Sequence, residues 1–274
     1  MDTLFGFHMS PTFANGIKIE ATRHYQDTYQ SILRKIVDGQ LVHADETQVM
    51  VDGQTRYVWV FTNLENVAYV YSESREAGTV RAVLSSFRGI LVSDFYAVYD
   101  SVECNQQKCL IHLLRDINED VLKSPFNEEM SGLASAFGQV LRPIIQTVDR
   151  FGLKKLHLRR HRATVERFYK MLGKHEYSTE VAAAYKRRFE KNRHKLFAFL
   201  DYDGVPWNNN NAEHAIKAFA RLRKVIGSNA TAKGIHEYLV LLSIAETCKY
   251  RGVNFLHFLR SGLVDIDAFE RGCV

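Results

Sequence analysis

The sequence predicts an α/β fold in which a mixed β-sheet carries a long all-helical insertion. Three observations predict it. Segments rich in β-branched and aromatic residues follow one another at short intervals between residues 41 and 71. A segment with helical spacing then separates them from another short apolar run, which is typical of a parallel crossover. From residue 112 to residue 262, almost every periodic segment has a helical period.

The first predicted elements are a helix and three strands. The helix is predicted over residues 22–38, where apolar side chains recur every three or four positions. The strands are predicted over Leu41–Val51, Tyr57–Thr62 and Val67–Tyr71, with a turn at Asp52-Gly53 after the first strand. Because the connections are short, we expect these strands to pair in an antiparallel manner.

The next elements are a crossover helix and two more strands. Helical spacing predicts the helix over residues 75–87, and apolar runs predict strands over Gly89–Ser93 and Lys108–Ile111. The predicted order is therefore β-β-β-α-β-α-β, followed by helices. This order is the ribonuclease-H-like one.

The composition is that of a globular protein that is not disordered. With 274 residues and 46% hydrophobic residues, the chain is long enough to bury a large core. It contains no apolar run of about 18 residues, and Met1–Ser10 lacks the pattern of a secretory leader, so we expect a cytoplasmic protein. No CxxC pair is present, which predicts reduced thiols and no zinc finger at Cys104, Cys109, Cys248 and Cys273.

The charge is unevenly distributed along the chain. The formal net charge is +5, but residues 142–195 hold 16 Lys/Arg against 5 Asp/Glu. A basic segment beside an acidic remainder favours a protein that binds phosphates in one region and metal ions in another. A solvated helical surface explains the same charge equally well.

Three carboxylates are candidates for a metal site. Asp45 lies within an apolar strand, Asp94 directly follows the apolar run Gly89–Ser93, and Glu213 lies near the start of a late helix. Two Mg²⁺ ions about 4 Å apart can serve phosphodiester chemistry, and hard cations prefer carboxylate oxygens. Most Asp and Glu residues are solvated surface groups, so spacing alone is weak evidence.

Five motifs in order resemble the transposases of the insertion sequence 66 family. The match extends over nearly the whole chain, and its motifs are HADETQVMVDGQTRYVWVF (43–61), SRE (74–76), GILVSDFYAVYDSV (89–102), KCLIHLLRDI (108–117) and NNNNAEHAIKAFARLRKVIGS (208–228). The resemblance implies a ribonuclease-H-like fold and the catalytic, metal-binding triad Asp45, Asp94 and Glu213. Here Asn208 stands where the family commonly has Asp, and His214 where it commonly has Arg.

The resemblance also implies an activity and an organisation. The expected enzyme is a DDE-type DNA transposase of a mobile element that uses two Mg²⁺ ions, with Mn²⁺ as a substitute, for DNA cleavage and strand transfer. Its expected partners are double-stranded DNA, a second copy of the chain in an oligomer on DNA, and helper proteins or a separate DNA-binding region, close to a prokaryotic nucleoid. The expected regions are a helical lead-in (1–40), the first part of the catalytic core (41–123), a basic helical insertion (124–205) and C-terminal core helices with Glu213 (206–274).

The family usually carries an N-terminal zinc-binding and DNA-binding region, and no cysteine precedes Asp45 in this chain. A core fragment, a split reading frame and a decayed copy are therefore all expected alternatives. A ribonuclease-H-like nuclease that only hydrolyses DNA and a DNA-binding remnant without catalysis are the alternative functions.

Several other residues are candidates for DNA contact, each with a structural alternative. On the helix that carries Glu213, the residues Ala215, Phe219, Leu222 and Ile226 are predicted to form an apolar stripe. Basic residues near Glu213 are predicted to bind phosphates, although without the family resemblance an exposed Glu213–Lys217 ion pair is the preferred interpretation. Trp207 is a candidate for stacking on an unpaired base. Cys109 and His112 form a CxxH pair that is half of a zinc site or, in the preferred interpretation, a structural pair. The predicted DNA contacts are Lys217, Arg221, Arg223, Lys224, His112, Arg115 and Trp207.

Overall fold

The computed structural model describes residues 10–227 and 230–272. It divides into two compact units: the first contains the described residues of 1–87, 98–102 and 210–274, and the second contains 88–97 and 103–209. Two predictions concern residues outside the described range. One is that Met1–Ser10 lacks a secretory leader, since only Ser10 of this segment is described, and the other is the reduced thiol of Cys273. Among the described residues, no helix is both long enough and apolar enough to cross a bilayer.

The elements of the first unit begin with two helices and a β-meander and end with a group of helices. In chain order they are α1 (Pro11–His24), α2 (Gln26–Val37), β1 (Leu41–Val51), β2 (Gln54–Thr62), β3 (Val67–Ser72), α3 (Ala77–Val83), α10 (Asn210–Ile226), α11 (Ala232–Tyr250), α12 (Phe255–Ser261) and α13 (Ile266–Gly272). A 3₁₀ helix extends over Ala97–Ser101, and all of its residues except Ala97 belong to this unit.

The second unit contains two short strands and the remaining helices. In chain order they are β4 (Ile90–Ser93), β5 (Asn105–Lys108), α4 (Leu110–Lys123), α5 (Glu128–Phe151), α6 (Lys155–Leu158), α7 (Arg162–Lys174), α8 (Glu180–Lys191) and α9 (Arg193–Leu196).

The β-meander confirms the predicted hairpins. β1 pairs antiparallel with β2, which pairs antiparallel with β3, so that Asp45 lies opposite Val60. The first turn contains Asp52 at φ 49° and Gly53 at φ 73°. A two-residue hairpin loop of type I′ needs positive φ at both central positions, and Asp-Gly is a favoured pair for it. This turn fixes the register of β1 and therefore the face on which each of its side chains lies.

The sheet is mixed and five-stranded, as an α/β fold predicts. The strand order is β3-β2-β1-β4-β5, and β4 pairs with β5 in parallel. All four residues of β4 are buried, in agreement with the prediction of a fully covered strand.

Helix α11 covers the free edge of the meander. The hydroxyl oxygen of Ser243 accepts a hydrogen bond from the backbone N–H of Tyr69 at 3.0 Å, and that of Thr247 accepts one from the N–H of Val67 at 3.0 Å. The Thr247 hydroxyl also donates to the carbonyl oxygen of Val67. Because an exposed edge strand can pair with other chains, these bonds protect β3 from edge-to-edge association.

Several predicted elements are wrong in their bounds or their type. The helix predicted over 75–87 is shorter and extends over Ala77–Val83. The helix predicted over 22–38 begins earlier, at Pro11, and is divided at Tyr25 into α1 and α2. The strand predicted over 108–111 is instead β5 over Asn105–Lys108, and Leu110 begins a helix. The expected helix between β4 and β5 is only a short 3₁₀ turn.

The error at β5 has a physical reason. This strand is polar in sequence, yet Gln106, Gln107 and Lys108 are buried. The side-chain amide of Gln107 donates to the carbonyl oxygens of Lys108 and Leu196, and its oxygen accepts from the backbone N–H of Phe199. Hydrogen bonds therefore replace apolar contacts in burying this strand, and an apolar pattern does not detect such burial.

Candidate metal centre

Asp45 lies in the middle of β1, where the strand passes from buried to accessible residues. The three preceding residues, 42–44, are buried, whereas Asp45 itself is half-buried. Its Oδ1 accepts a hydrogen bond from the backbone N–H of Glu46 at 2.9 Å. This bond restricts the rotation of the carboxylate.

The side chain of the neighbouring residue, Glu46, is held by two other segments. Its Oε1 accepts from Nε of Arg75 at 3.0 Å and from a second guanidinium nitrogen of the same residue, and its Oε2 accepts from the hydroxyl of Tyr99 at 2.6 Å. The Glu46 side chain is only 4% exposed. Tyr99 is fully buried and makes an edge contact with the ring of Trp59, with centroids 6.0 Å apart.

Asp94 is the first residue after β4, at the carboxyl end of a fully buried strand. Its Oδ1 accepts a hydrogen bond from the backbone N–H of Tyr96 at 2.9 Å, so the carboxylate is fixed by the turn that follows it. The Ser93 hydroxyl donates to the Asp94 carbonyl oxygen at 3.1 Å. The buried ammonium group of Lys108 lies on the neighbouring strand and donates to the Ser93 hydroxyl at 3.2 Å.

Glu213 lies in the first turn of α10, and the residue is half-buried. An acidic side chain is favourable there because the partial charge of a helix N-terminus is positive. The helix packs against β1 and β2, and the hydroxyl of Tyr69 donates to the carbonyl oxygen of Ala215 at 2.8 Å. Arg223, near the other end of α10, donates to the carbonyl oxygen of Gln48 on β1.

These contacts bring the helix of Glu213 against the strand of Asp45 within the first unit. Asp94 belongs to the second unit. The apolar stripe predicted for α10 is confirmed in burial, because Ala215 and Phe219 are buried and Leu222 and Ile226 pack against the same core cluster.

The predicted DNA contacts differ in their exposure. Within α10, Lys217, Arg221 and Lys224 are exposed, whereas Arg223 is half-buried and bonded to β1. In the second unit, Arg115 is exposed on α4. His112 and Trp207 are both half-buried, and the Trp207 carbonyl oxygen accepts from the N–H of Leu110 at 2.9 Å.

Among the described residues, Cys104, Cys109 and Cys248 form no disulfide bond. Cys109 is fully buried, and its sulfur accepts a hydrogen bond from the N–H of Asn209 at 3.3 Å, while its own N–H donates to the carbonyl oxygen of Ser93 at 2.8 Å. Burial raises the pKa of Cys104 and of Cys248 to about 11. Since the thiolate is the reactive form, these two thiols are poor nucleophiles at neutral pH.

A family model described as Transposase IS66 family matches residues 2–237 of the chain. The chain belongs to the IS66 family of transposases. The family resemblance inferred from the five motifs is thereby confirmed. Membership in this family accounts for the order of motifs from residue 43 to residue 228.

Two curated relatives of this IS66 chain come from Sinorhizobium fredii. Uncharacterized protein y4qI is 24% identical over 267 residues, covering 86% of this chain and 49% of the relative. Uncharacterized protein y4jD is 28% identical over 207 residues, covering 69% of this chain and 40% of the relative. The chain thus spans half or less of the length of the curated relatives it matches.

A solved structure with partial similarity is the HTLV-2 integrase catalytic core domain in complex with magnesium. It is 12% identical and covers 32% of this chain and 74% of the integrase chain, with a TM-score of 0.22. A score this low does not assign a fold to the IS66 chain.

Sequence reasoning missed the residues that surround the candidate carboxylates in this IS66 chain. Glu46, Arg75 and Tyr99 each lie inside a motif that carries the family resemblance, but none was singled out. Lys108 was taken as an ordinary strand residue, although it is fully buried beside the residue that precedes Asp94. Their positions inside motifs were the only signal that the sequence offered.

Proposed function

We propose that this chain is the catalytic part of a DDE-type DNA transposase, in which Asp45, Asp94 and Glu213 hold two Mg²⁺ ions or, as substitutes, Mn²⁺ ions. The observation that carries the proposal is a backbone hydrogen bond to the carboxylate of each aspartate. In a chain of the IS66 family, Asp45 and Asp94 each have one carboxylate oxygen fixed by a backbone N–H that follows in sequence. Such restraint favours metal binding because the carboxylate is already held in one orientation before the ion binds.

The proposed architecture is a ribonuclease-H-like core with a helical insertion. The mixed sheet with order β3-β2-β1-β4-β5 supports the core. The described elements between Asp94 and Glu213 are one short strand, 3₁₀ turns and helices, which supports the insertion. The boundaries proposed for these regions remain 1–40, 41–123, 124–205 and 206–274.

The proposed donor set fits the proposed metal. Carboxylate oxygens are the ligands that hard divalent cations prefer, and Mg²⁺ is commonly held by one or two carboxylates together with phosphate oxygens of the substrate. When bound, the ions would supply charge stabilisation to the attacking and leaving oxygens of phosphodiester chemistry. The three side chains themselves bind and orient, and no nucleophilic side chain is required.

The proposed substrate is double-stranded DNA, bound by a homo-oligomer of the chain. Lys217, Arg221 and Lys224 on α10 are exposed cations on the helix that carries Glu213, so they are proposed phosphate contacts. Arg115, His112 and Trp207 are proposed contacts from the second unit. The half-buried Arg223 is bonded to β1, so we propose that it anchors α10 to the sheet and binds DNA only secondarily.

The decisive experiment measures metal binding and DNA cleavage on the same set of variants. The set is wild type, Asp45→Asn, Asp94→Asn, Glu213→Gln and, as a matched control, Glu119→Gln, which changes an exposed carboxylate on α4. Calorimetric titration with Mg²⁺ or Mn²⁺ alone is followed by a nicking assay on a supercoiled plasmid. We expect each triad variant to weaken metal binding and to abolish nicking, with no change in Glu119→Gln.

The other outcomes separate the alternative functions. Nicking without joining of DNA ends to the plasmid would indicate a nuclease that only hydrolyses. DNA affinity that falls with salt, in a wild type that neither binds metal nor nicks, would indicate a DNA-binding remnant. Asn208 and His214 are the family departures that bear on this last outcome, and both lie within six residues of Glu213.

A further inference from the structure

Three residues of the motifs that lie outside the proposed triad meet at one buried carboxylate. Glu46 comes from the Asp-Glu-Thr motif, Arg75 from the Ser-Arg-Glu motif, and Tyr99 from the segment that follows Asp94. All three belong to the first unit, and their side chains are joined by the hydrogen bonds to the two oxygens of Glu46. We call this arrangement the Glu46 clamp.

The Glu46 clamp is a well-satisfied charged group. A buried carboxylate is costly unless it is paired and hydrogen-bonded. Arg75 supplies the opposite charge through two nitrogens on one oxygen, and Tyr99 supplies a short hydrogen bond to the other. The ring of Tyr99 is itself fully buried against Trp59, so its hydroxyl has little freedom to move. Glu46 is therefore fixed at both carboxylate oxygens.

The backbone of Glu46 transmits this restraint to Asp45. The N–H of Glu46 donates to Oδ1 of Asp45 at 2.9 Å, which is the hydrogen bond that orients the proposed metal ligand. Successive side chains of a strand point to opposite faces. Fixing the Glu46 side chain on one face of β1 thus fixes the peptide that orients the Asp45 side chain on the other face.

The clamp also restrains the chain that follows the second aspartate. Tyr99 lies five residues after Asp94, and it is part of the 3₁₀ helix Ala97–Ser101. Its hydrogen bond to Glu46 ties this segment to β1.

We propose that Glu46 is a positioning residue which, held by Arg75 and Tyr99, sets the orientation of the Asp45 carboxylate for metal binding. This inference rests on the proposed function, since it assumes that Asp45 is a metal ligand. The residue is not a metal ligand in this proposal, because both of its oxygens are used by Arg75 and Tyr99. Loss of a hydrogen-bonding partner behind a metal ligand typically lowers metal affinity or activity by about 10-fold to 100-fold.

The test measures Mn²⁺ affinity by calorimetry, with and without supercoiled plasmid, in Tyr99→Phe, Glu46→Gln and Glu46→Ala. The Tyr99→Phe variant removes one hydroxyl and retains the ring, and we expect it to raise the half-saturating Mn²⁺ concentration by about 10-fold. Glu46→Ala should raise it further. Glu46→Gln should recover part of that loss, because its amide oxygen still accepts from Tyr99.

The matched control is Tyr29→Phe. Tyr29 is also a buried tyrosine of the first unit, and its hydroxyl donates to the carbonyl oxygen of Tyr69 at 2.8 Å. This variant loses a comparable buried hydrogen bond outside the Glu46 clamp. We expect it to lower the free energy of unfolding in urea while leaving Mn²⁺ affinity unchanged, which separates positioning from general stability.

Two outcomes would overturn the inference in distinguishable ways. If Asp45→Asn abolishes Mn²⁺ binding but Tyr99→Phe changes the half-saturating concentration by less than a factor of two, the Glu46 clamp does not position the ligand and the proposed function stands. If Asp45→Asn leaves Mn²⁺ binding unchanged, both the proposed function and the inference are wrong. Since Tyr99→Phe removes only one hydroxyl group, its Mn²⁺ affinity tests the inference even if Glu46→Ala does not fold.

Discussion

Two kinds of stabilising contact are clearest in different units of the chain. In the second unit, the ring of Phe137 contacts the rings of Phe168, Phe189 and Phe197, with centroids 6.0, 4.9 and 6.4 Å apart. In the first unit, buried hydroxyls such as those of Tyr69 and Ser243 bond directly to the backbone of other elements. Aromatic packing tolerates small shifts, whereas directed hydrogen bonds fix where a particular peptide lies.

This difference corresponds to two of the proposed roles, which are binding of a phosphate backbone and positioning of Asp45. The basic segment 142–195 lies in the second unit, where an aromatic core supports a cationic surface. Binding to a phosphate backbone depends on charge and does not require each cation to be placed closely. Metal ligands must be held within about 0.5 Å of their working geometry, and the directed hydrogen bonds around Asp45 are suited to that requirement.

The largest expected effect follows from removing the centre of the aromatic core. Phe137→Ala should lower the free energy of unfolding by about 4 kcal/mol, because a fully buried aromatic side chain is replaced by a cavity. Hydrogen exchange followed by mass spectrometry should show lost protection in α5, α7 and α8 and unchanged protection in β1–β3.

The control for this variant is Phe126→Ala. Phe126 is 96% exposed in the loop between α4 and α5, so its removal should leave the free energy of unfolding unchanged. If the Phe137→Ala protein loses as much protection in β1–β3 as in α5, α7 and α8, the aromatic core does not stabilise the helices of its own unit selectively.

The two modes of stabilisation also explain which parts of the fold the sequence could predict. Apolar periodicity identified β1 to β4, and the apolar stripe of α10 is buried as predicted. The same periodicity failed at β5, where Gln107 satisfies three backbone groups in place of apolar contacts. A strand that is buried through hydrogen bonds has no periodic pattern of apolar residues. Its burial is therefore recognised only when the structure shows the hydrogen-bonding partners.

The candidate site shows the same limit. Asp45 and Asp94 could be selected because a carboxylate inside or directly after an apolar strand is unusual. Glu46 could not, since its partners Arg75 and Tyr99 are 29 and 53 residues away in the chain. Nothing in the local sequence indicates which of two adjacent acidic residues in β1 is bonded to the protein and which is the candidate for metal.

A smaller effect is expected from the polar network of the first unit. Arg251 donates to the carboxylates of Asp267 and Glu270 and to the side-chain oxygen of Asn66, and its side chain is 11% exposed. Arg251→Ala should lower the free energy of unfolding by about 2 kcal/mol, because charged hydrogen bonds are lost and their acceptors remain partly solvated. The exposed Arg260→Ala is the control, and it should have no effect.

The pH dependence of the same network sharpens this prediction. Hydrogen bonds from Lys35 and then from Arg251 hold the pKa of Asp267 below its ordinary value. A lowered carboxyl pKa contributes stability above its ordinary value of 3.8, and this stability is lost as the pH falls through the lowered pKa. Urea unfolding of Arg251→Ala should therefore be less sensitive to acid than that of the wild type, and equal sensitivity would contradict the assignment.

The smallest expected effect concerns Glu129, a half-buried residue of α5 whose carboxylate bonds to the start of another helix of the second unit. Its carboxylate accepts from the hydroxyl and backbone N–H of Thr179 and of Ser178, at distances of 2.6 to 2.8 Å. These bonds, the Thr179 hydroxyl first, lower the pKa of Glu129 from 4.5 to about 2. Thr179 precedes the first residue of α8, so the carboxylate satisfies donors at the start of that helix.

The sign of the Glu129 effect follows from its lowered pKa. The contribution to stability is present above pH 4.5 and is lost between that value and about pH 2, where the folded protein takes up the proton. Carbon-13 NMR titration of Glu129 should give a midpoint well below the ordinary value of 4.5, and Glu129→Gln should speed hydrogen exchange in the first turn of α8 at neutral pH. A midpoint near 4.5 would mean that these donors do not hold the carboxylate, and the position of α8 would then depend on the packing of its buried residues Ala182, Tyr185 and Phe189.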